Sequence, residues 1–523
     1  MKKFLLSLSA AFFIGGSLSQ SASAAGIQET PEGTHYSNIY RSSVQYLDMW
    51  GSLYISNIEG KIGDIVISGK DFYMCKPVAT FSVTTPYWIK GTLGDDNLVT
   101  FSFPQDAYTV PANPYLGTPE TQISAQMMKV VTTDGKSEFV VDTENTALLM
   151  KWENNVLSQI NAGNDGEKRV VGLVDADGKF TGSAEGDIVW SVFDETLPTP
   201  PAGMETAKYL CSAENNWGDK SNRIVEIGTA GDQLWIKGLY GYFSDSWIKG
   251  TINGDKVTVA TDQYLGIYTT EMYYYFFQAA DYEEYVNDWG EPDVRFIPET
   301  EVTLTKEGDK YIADKAMLMT FGMKTANPGM PAGSTLLNVT FAPYEETPAT
   351  PANPSIEFVG DYYAPYGRSV TLNIPATDTD GNFINPDNMY YNIFINDELF
   401  TFTPETYPVL ESPLTDIPYN FSETGVVVTN GGSAQHSITL QMEELPKIEV
   451  QSAYVVNGVT NKSAKVGTTT EIDPTTMAKP TVESTEWYNL QGARIDAPAA
   501  GTIAIRRDRM SDGTVKATKA IIR

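Results

Sequence analysis

Two neighbouring segments, Leu-Trp-Ile-Lys-Gly-Leu at residues 234–239 and Trp-Ile-Lys-Gly-Thr-Ile at residues 247–252, decide how this chain is organised. Short runs of apolar, β-branched and aromatic residues that are separated by glycine and polar residues favour a β-hairpin. The pattern also occurs earlier in the chain, where Trp-Ile-Lys-Gly-Thr-Leu occupies residues 88–93. The sequence therefore contains two copies of one hairpin.

Other blocks recur in the same order around the two hairpins, which indicates an internal duplication. They are Pro-x-Gly at 31–33 and 201–203 with Tyr40 and Tyr209, an Ala-led block at 147–152 and 316–321, and the exits 192–196 and 341–347. The separation is 159 residues at the tryptophans (247 − 88) and 169 at the Ala-led block (316 − 147). Such differences are expected because loops vary more than the strands they connect. We predict two copies of one antiparallel β-domain, over residues 25–197 and 198–348.

Composition limits the partners of the chain. With 523 residues it is long enough for about three or four domains, and 36 Lys+Arg against 66 Asp+Glu leave a net charge of −30. A surface of this sign repels phosphate backbones and anionic lipids, so we expect no nucleic-acid partner and no peripheral membrane binding.

The two cysteines, Cys75 and Cys211, do not occupy equivalent positions of the two copies. They predict two buried thiols, with a single bridge between the copies as the alternative.

The N-terminus has the three parts of a secretion signal. Lys2 and Lys3 precede an apolar stretch at 4–18, and Ala-Ser-Ala at 22–24 resembles a cleavage site. We predict a signal peptide over residues 1–24 and an exported chain that begins near Ala25; a retained anchor is the alternative. No later stretch is long and apolar enough to span a bilayer, so we expect a protein that does not cross the membrane.

A different module follows a Pro/Thr/Ala-rich linker at residues 349–355 and extends over residues 356–475. Its segments Tyr-Asn-Ile-Phe-Ile-Asn at 391–396 and Val-Gln-Ser-Ala-Tyr at 450–454, with Gly458 beyond them, resemble the middle and closing strands of a fibronectin type III module. The resemblance implies a β-sandwich that serves as a spacer or interaction unit and has no catalytic residues. An immunoglobulin-like sandwich of another topology fits the same strands.

The tail, residues 485–523, is basic on an otherwise acidic chain. Its segments Trp-Tyr-Asn-Leu-Gln-Gly-Ala-Arg-Ile at 487–495 and Gly-Thr-Ile-Ala-Ile at 501–505 resemble the C-terminal sorting domain of secreted Bacteroidetes proteins. That family implies export across the outer membrane by the type IX machinery, often followed by removal of the tail. A small terminal hairpin docked on the preceding module is the alternative.

The duplicated hairpin, together with Gln-Tyr-Leu-Gly at 263–266, also resembles a domain of uncharacterised secreted Bacteroidetes proteins. The first copy has Phe-Pro-Gln at 103–105 in that place and lacks Tyr-Leu-Gly. This resemblance implies a cellular address and no reaction. The fold class that we predict is all-β: tandem duplicated antiparallel β-domains, then a fibronectin- or immunoglobulin-like sandwich, then a short β tail. Only residues 281–289 have a pattern compatible with a helical turn.

The usual signals of catalysis are weak. His35 and His436 are predicted to be isolated surface imidazoles in loops, with no metal-binding spacing near either, so we predict no metal site and no catalytic histidine. Asp-Thr-Asp-Gly at 378–381 resembles the start of a calcium loop but lacks its later ligands, which favours a β-turn. No glycine-rich phosphate loop follows a strand and opens a helix, so we expect no nucleotide cofactor, and no cofactor of another kind is predicted.

Aromatic residues form the best candidate binding site. Tyr240, Tyr242, Phe243 and Trp247 surround one strand connection, and a Tyr-Tyr-Tyr-Phe-Phe run occupies residues 273–277. Because strand side chains alternate between two faces, we predict an exposed aromatic row for stacking against sugar rings. Ordinary core packing is the alternative.

We therefore predict a non-catalytic, exported surface protein, structural or binding a glycan or a cell-surface protein. Its location is the outer surface or the extracellular space, with the periplasm as an alternative. The alternative function is a secreted glycan-active enzyme that uses an Asp/Glu pair in one of the copies. The acidic, aromatic stretch at 281–291 is where such a pair would be sought first; a solvated connection is its ordinary explanation.

Overall fold

The computed structural model places most of the chain in strands and turns. It describes residues 26–49, 52–78, 86–112, 119–133, 136–164, 167–216, 218–268, 272–286, 290, 292–323, 334–429, 434–445, 447–468, 482–488, 494–495, 503–510 and 515–521. The only helical elements among these are single 3-10 turns at Gly241–Phe243 and Pro386–Asn388. The predicted all-β class is confirmed. In the described part of the chain, no helix has the length and apolar character needed to span a membrane.

Two compact units make up the described chain, and the boundary between them falls after Glu345. The strands of the first half of the first unit are β1 (Thr34–Met49), β2 (Ser52–Ser68), β3 (Asp71–Cys75), β4 (Trp88–Leu93), β5 (Leu98–Ser102), β6 (Gln105–Val110), β7 (Thr121–Thr133), β8 (Lys136–Val141), β9 (Ala147–Glu153), β10 (Val156–Gln159), β11 (Gly163–Asn164), β12 (Glu167–Val174) and β13 (Phe180–Val192).

Eight of these strands form a closed antiparallel sheet, which we call ring 1. Its neighbours follow the order β1-β2-β3-β4-β5-β9-β10-β13, and β13 pairs back with β1. A closed sheet of this size leaves an interior that side chains can fill. Ile65, Phe72, Ile89, Phe101 and Trp190 fill it, and all are fully buried.

The remaining strands form a flap that continues the sheet from β13. β12 pairs with β13, β7 pairs with β12, and β6 and β8 pair with successive parts of β7. The short strand β11 pairs with β12. Tyr108, Ile123 and Met127 of this flap belong to the same buried cluster as the interior of ring 1. The flap and the ring therefore share one core.

The second half of this unit has twelve strands. They are β14 (Thr206–Glu214), β15 (Lys220–Ala230), β16 (Gln233–Lys237), β17 (Trp247–Asn253), β18 (Lys256–Ala260), β19 (Gln263–Tyr268), β20 (Tyr273–Val286), β21 (Pro292–Glu299), β22 (Glu301–Glu307), β23 (Lys310–Ala313), β24 (Ala316–Phe321) and β25 (Thr335–Pro343).

These strands repeat the connectivity of the first half. Ring 2 has the order β14-β15-β16-β17-β18-β22-β23-β25, and β25 pairs back with β14. Its flap continues from β25 through β24 to β20, which pairs with β19 and β21. The short β11 is the one strand of the first half without a counterpart. The strand orders on the two sides of residue 198 are thus the same.

The pairings correct three sequence-based interpretations. The block at 147–152 is β9, whose counterpart by position in the ring is β22, whereas the block at 316–321 is β24, the counterpart of β12 in the flap. Tyr209 corresponds to Ile39 and not to Tyr40, because Arg41 and Cys211 hold the same place in the pairings. Because buried strands of similar composition resemble one another, a match of local sequence does not show which strands are equivalent.

The stretch at 281–289 has no helical turn as far as Val286, because β20 extends to that residue.

A shared backbone irregularity supports the correspondence of the rings. One extra residue is inserted in β13 opposite Ser42 and Val44, and one in β25 opposite Ser212 and Glu214. Asp187 and Asn338, with φ of 50° and 52°, lie at these two insertions. Asp and Asn tolerate the left-handed conformation better than most residues, so each bulge is occupied by a residue type that suits it.

The second unit begins with a two-layer sandwich. Its strands are β26 (Ser355–Tyr363), β27 (Gly367–Asn373), β28 (Met389–Ile395), β29 (Glu398–Leu399), β30 (Ile417–Pro418), β31 (Val427–Thr429), β32 (Gln435–Leu440), β33 (Ile448–Val456), β34 (Val459–Lys462) and β35 (Val466–Thr468). One sheet has the order β26-β27-β32-β31 and the other β29-β28-β33-β34, with β30 on β28 and β35 on β33. Val370 and Ile438 of the first sheet share a buried cluster with Tyr391 and Val450 of the second.

Both histidines are strand residues, which corrects the prediction of surface loops. His436 lies in β32 and is fully buried, with its Nδ1 3.2 Å from the Tyr391 hydroxyl. His35 lies in β1, is exposed, and contacts Asp64 at 3.1 Å. The predicted turn at 378–381 is present: the Asp378 carboxylate accepts hydrogen bonds from the backbone N–H groups of Asp380 and Asn382.

The tail forms a separate small sheet. Its strands are β36 (Val482–Tyr488), β37 (Arg494–Ile495), β38 (Ile503–Met510) and β39 (Val515–Ile521), in the order β37-β36-β38-β39. The predicted signal at 1–24 lies outside the described residues.

Candidate binding faces of the two rings

The lysine of the Trp-Ile-Lys-Gly motif is held by a glutamine side chain in both rings. In ring 1 the Gln105 amide accepts from Lys90 N–H at 2.7 Å and donates to the carbonyl oxygens of Lys90 at 2.8 Å and Ser102 at 2.9 Å. In ring 2 Gln263 makes the same three bonds with Lys249 and Ala260, at 2.8, 2.9 and 2.8 Å. We call this arrangement the glutamine clamp. The clamp provides hydrogen bonds for backbone groups of β4 and β17 in the part of each strand that does not pair with β5 or β18.

The other shared residues of the motif also have structural roles. Lys90 Nζ lies 5.7 Å from the ring centre of Tyr73, and Lys249 Nζ lies 5.9 Å from that of Trp235, across the same strand pair. A Cβ on Gly91 would lie 2.8 Å from the ring of Phe101, so the core requires glycine there. These contacts explain the recurrence of the hairpin by folding, without a ligand.

The four residues of the predicted aromatic row do not share one face. Tyr240 is 1% exposed and belongs to the core of ring 2, whereas Tyr242 is 62% exposed. Phe243 and Trp247 are half-buried. The 3-10 turn at Gly241–Phe243 interrupts strand alternation, so Tyr240 points inward and Tyr242 outward. Tyr240 is therefore removed from the candidate row; its burial, and secondarily nearby Cys211, raise its pKa well above the ordinary value.

Tyr242 rests on a series of aromatic rings that leads into the core. Its ring meets Tyr268 edge-on at 5.3 Å, and Tyr268 meets the buried Tyr275 at 6.3 Å. Phe243 contacts Tyr275 at 5.4 Å, and a Cβ on Gly266 would lie 3.0 Å from Phe243. Tyr268 is not among the site residues predicted from the sequence, because no local pattern connects it with Tyr242; it lies at the end of β19.

The aromatic run at 273–277 is buried on both faces and does not form an exposed platform. Tyr275 and Phe277 belong to the core of ring 2. Tyr274 and Phe276 pack instead with Tyr40 and Phe193 of the first half. The side chains of this run alternate between two faces, as predicted, but the second face packs against ring 1 and is not exposed to solvent.

Hydrogen bonds fix this contact between the rings. The Tyr274 hydroxyl donates to Glu195 at 2.8 Å, and Met323 N–H donates to the Tyr40 hydroxyl at 2.8 Å. The Tyr40 hydroxyl in turn donates to Glu59 in a short hydrogen bond. Burial and the Glu59 carboxylate raise the pKa of Tyr40 far above its ordinary value, so this hydroxyl remains protonated.

Ring 1 contains a buried ion pair, and uncharged residues occupy the two corresponding positions of ring 2. Arg41 Nη2 lies 3.1 Å from both carboxylate oxygens of Glu185, and Ser43 Oγ donates to Glu185 at 2.7 Å. The Arg41 guanidinium lies 4.5 Å from the ring centre of Trp190. Arg41 and Glu185 are 2% and 0% exposed, and the corresponding residues of ring 2 are Cys211 and Leu336. Both cysteines are free and buried, as predicted.

An open cleft of about 420 Å³ lies beside the glutamine clamp of ring 1. Gly26, Ile27, Trp88, Gln105 and Asp106 line it. Trp88 is 2% exposed, and its backbone N–H donates to the Ile27 carbonyl at 2.9 Å. The segment at Gly26 and Ile27 thus lies on the same edge of β4 as the clamp.

The acidic stretch of the second half lies on the β20–β21 hairpin. Glu283 and Glu284 are exposed on successive positions of β20, and the Tyr285 hydroxyl donates to Asp293 at 3.0 Å. Within the described ranges, no three His, Cys, Asp or Glu side chains are grouped as metal ligands. A scan against models of known protein families finds no match to the chain, and a search among curated proteins finds none either.

Proposed function

We propose that this is a non-catalytic, exported surface protein that binds a glycan or protein ligand outside the cell, with Tyr242 of ring 2 at the contact. The observation that supports this proposal is the 62% exposure of Tyr242 on rings that continue into the core. An aromatic ring held in this way loses little conformational freedom when a flat ligand stacks on it. Sugars present such an apolar face.

Glycan-array binding by the chain from residue 25 onward tests this proposal. We expect Tyr242→Ala to weaken binding about twofold to tenfold, the size of one aromatic contact, and Tyr242→Phe to retain it. Tyr366→Ala is the matched control, because Tyr366 is 79% exposed in the other unit. Binding that is unchanged by Tyr242→Ala would remove Tyr242 from the site.

The cellular address is the second part of the proposal. Lys2, Lys3 and the Ala-Ser-Ala at 22–24 support removal of a secretion signal, and the basic tail at 485–523 supports passage through outer-membrane export machinery. Exposure at the cell surface can be measured by adding protease to intact cells. We expect the full chain to be digested and a chain ending at residue 481 to be protected; equal digestion of both would contradict a sorting role for the tail.

A further inference from the structure

In ring 1, another segment of the same chain lies along one edge of the duplicated hairpin. β4 pairs with β5 only at Thr92 and Leu93, and no strand of the described chain pairs with its edge at Trp88 and Lys90. Gln105 clamps Lys90, and Trp88 N–H donates to the Ile27 carbonyl at 2.9 Å. Ile27 and Trp88 form an antiparallel bridge. The segment at Gly26 and Ile27 therefore acts as a very short added strand.

The space beside this edge accepts glycine and excludes a residue with a Cβ. A Cβ on Gly26 would lie 2.2 Å from the Asp106 carbonyl oxygen and 2.9 Å from that of Ala107. Both atoms belong to the backbone of β6 and cannot move aside as a flexible side chain would. The edge thus accepts glycine followed by an aliphatic residue.

Ring 2 has the same edge without this occupant. β17 pairs with β18 only from Thr251 to Asn253, and Gln263 clamps Lys249. Gly238 N–H donates to the Ser246 carbonyl, so Ser246 faces β16 and the next residue, Trp247, directs its backbone groups towards β19. In the described part of the chain, no residue forms a hydrogen bond with Trp247 on that side.

The edge of β17 at Trp247 lies in a groove that is closed at both ends. The Ser246 hydroxyl donates to the carbonyl of Leu265, which corresponds to Ala107 of ring 1, and the glutamine clamp closes the other end. Trp247 itself is half-buried, whereas Trp88, which forms a backbone bridge with Ile27, is 2% exposed. One backbone donor, one backbone acceptor and part of an indole face remain available.

We propose that the edge of β17 at Trp247 binds an extended peptide of a partner protein, in which glycine precedes an aliphatic residue. Strand addition would supply backbone hydrogen bonds, and the aliphatic residue would lie opposite Trp247 as Ile27 lies opposite Trp88. The argument depends on the occupied edge of ring 1 and not on Tyr242, so failure of the glycan experiment leaves it intact.

Photo-crosslinking with the sequence of residues 25–30, Ala-Gly-Ile-Gln-Glu-Thr, tests the proposal. In the probe, benzoylphenylalanine replaces the glutamine that follows isoleucine, both ends are blocked, and the target is the chain from residue 25. Intact mass counts the attached peptides, and peptide mapping locates them. We expect one peptide per chain, attached at 246–249 or 263–266. No attachment, or attachment spread over other segments, would overturn the proposal.

Three controls use the asymmetry between the rings. Gly26→Val should expel the resident segment from ring 1, so that a second peptide attaches near Trp88; a count that stays at one contradicts the equivalence of the edges. Trp247→Pro removes the backbone donor and should lower attachment to ring 2 at least fivefold. A probe with valine in place of glycine should attach at least fivefold less to the unaltered chain, which tests the proposal without changing the protein.

Discussion

Rings 1 and 2 have the same strand order and the same bulge, yet their interiors differ in polarity. Ring 1 buries Arg41 against Glu185, whereas ring 2 has Cys211 and Leu336 at the corresponding positions. A buried ion pair is often no more stabilising than well-packed apolar residues of similar volume, because desolvation offsets the Coulombic attraction. The fold therefore does not require this ion pair, although the stability of ring 1 depends on both partners once they are present.

The largest effect is expected from breaking the pair on one side. Glu185→Ala leaves the Arg41 guanidinium buried without its carboxylate, which should lower the free energy of unfolding by about 3–5 kcal/mol. Urea unfolding followed by fluorescence would measure the change. The double substitution Arg41→Cys with Glu185→Leu copies ring 2 and should recover most of that loss. A double variant as unstable as Glu185→Ala would show that the interiors are not interchangeable.

A slightly smaller effect is expected at the contact between the rings. Gly60 has a φ of +76°, and a Cβ there would lie 2.5 Å from the backbone of Gly322. Gly60→Ala should therefore combine backbone strain with overpacking and cost about 2–4 kcal/mol. Gly69→Ala is the control, because Gly69 has a φ of +63° with nothing within 4 Å of a Cβ. Equal losses in thermal unfolding would mean that strain alone, and not the contact with the second half, makes Gly60 necessary.

The two glutamine clamps should be equivalent to within the error of an unfolding experiment. Gln105→Ala and Gln263→Ala each remove three hydrogen bonds to backbone groups, which corresponds to about 1–3 kcal/mol after exchange with water. Chemical denaturation of the single variants measures both values. A difference above about 1 kcal/mol would show that the clamp has acquired another role in one ring.

The smallest difference between the rings is expected in thiol reactivity. Burial, with the Asp64 carboxylate as a lesser cause, raises the pKa of Cys75 to about 12, and burial raises that of Cys211 to about 12 as well. Since the thiolate is the reactive form, both thiols should be almost inert towards a disulfide reagent at pH 8 and become reactive in denaturant. Rapid labelling of one native thiol would contradict its burial.

The sequence predicted which segments form strands more reliably than which strands pair with one another. The period-two pattern and the repeated Trp-Ile-Lys-Gly motif predicted strands and a duplication, because these depend on local alternation and composition. The Ala-led blocks at 147–152 and 316–321 were nevertheless matched wrongly, since fully buried strands in a ring and in a flap have the same apolar character. Position in the sheet, which long-range pairing sets, distinguishes them.

The candidate site was recovered only in part, for a similar reason. Tyr242 was identified from its neighbours, but Tyr240 was assigned to the same face because strand alternation was assumed to continue through residues 240–243. A single 3-10 turn placed one ring in the core and the other in solvent. Tyr268 is distant in sequence and became part of the site only through the position of β19.

The sequence by itself determined the all-β class and the recurrence of one hairpin, because backbone preference and side-chain alternation act over a few residues. Only the tertiary structure decided that each copy closes into a ring, that residues 273–277 are buried on both faces, and that Ile27 pairs with Trp88 while Trp247 has no such partner in the described part of the chain. Closure, burial and edge pairing bring together residues far apart in the chain, and no local pattern encodes such distances.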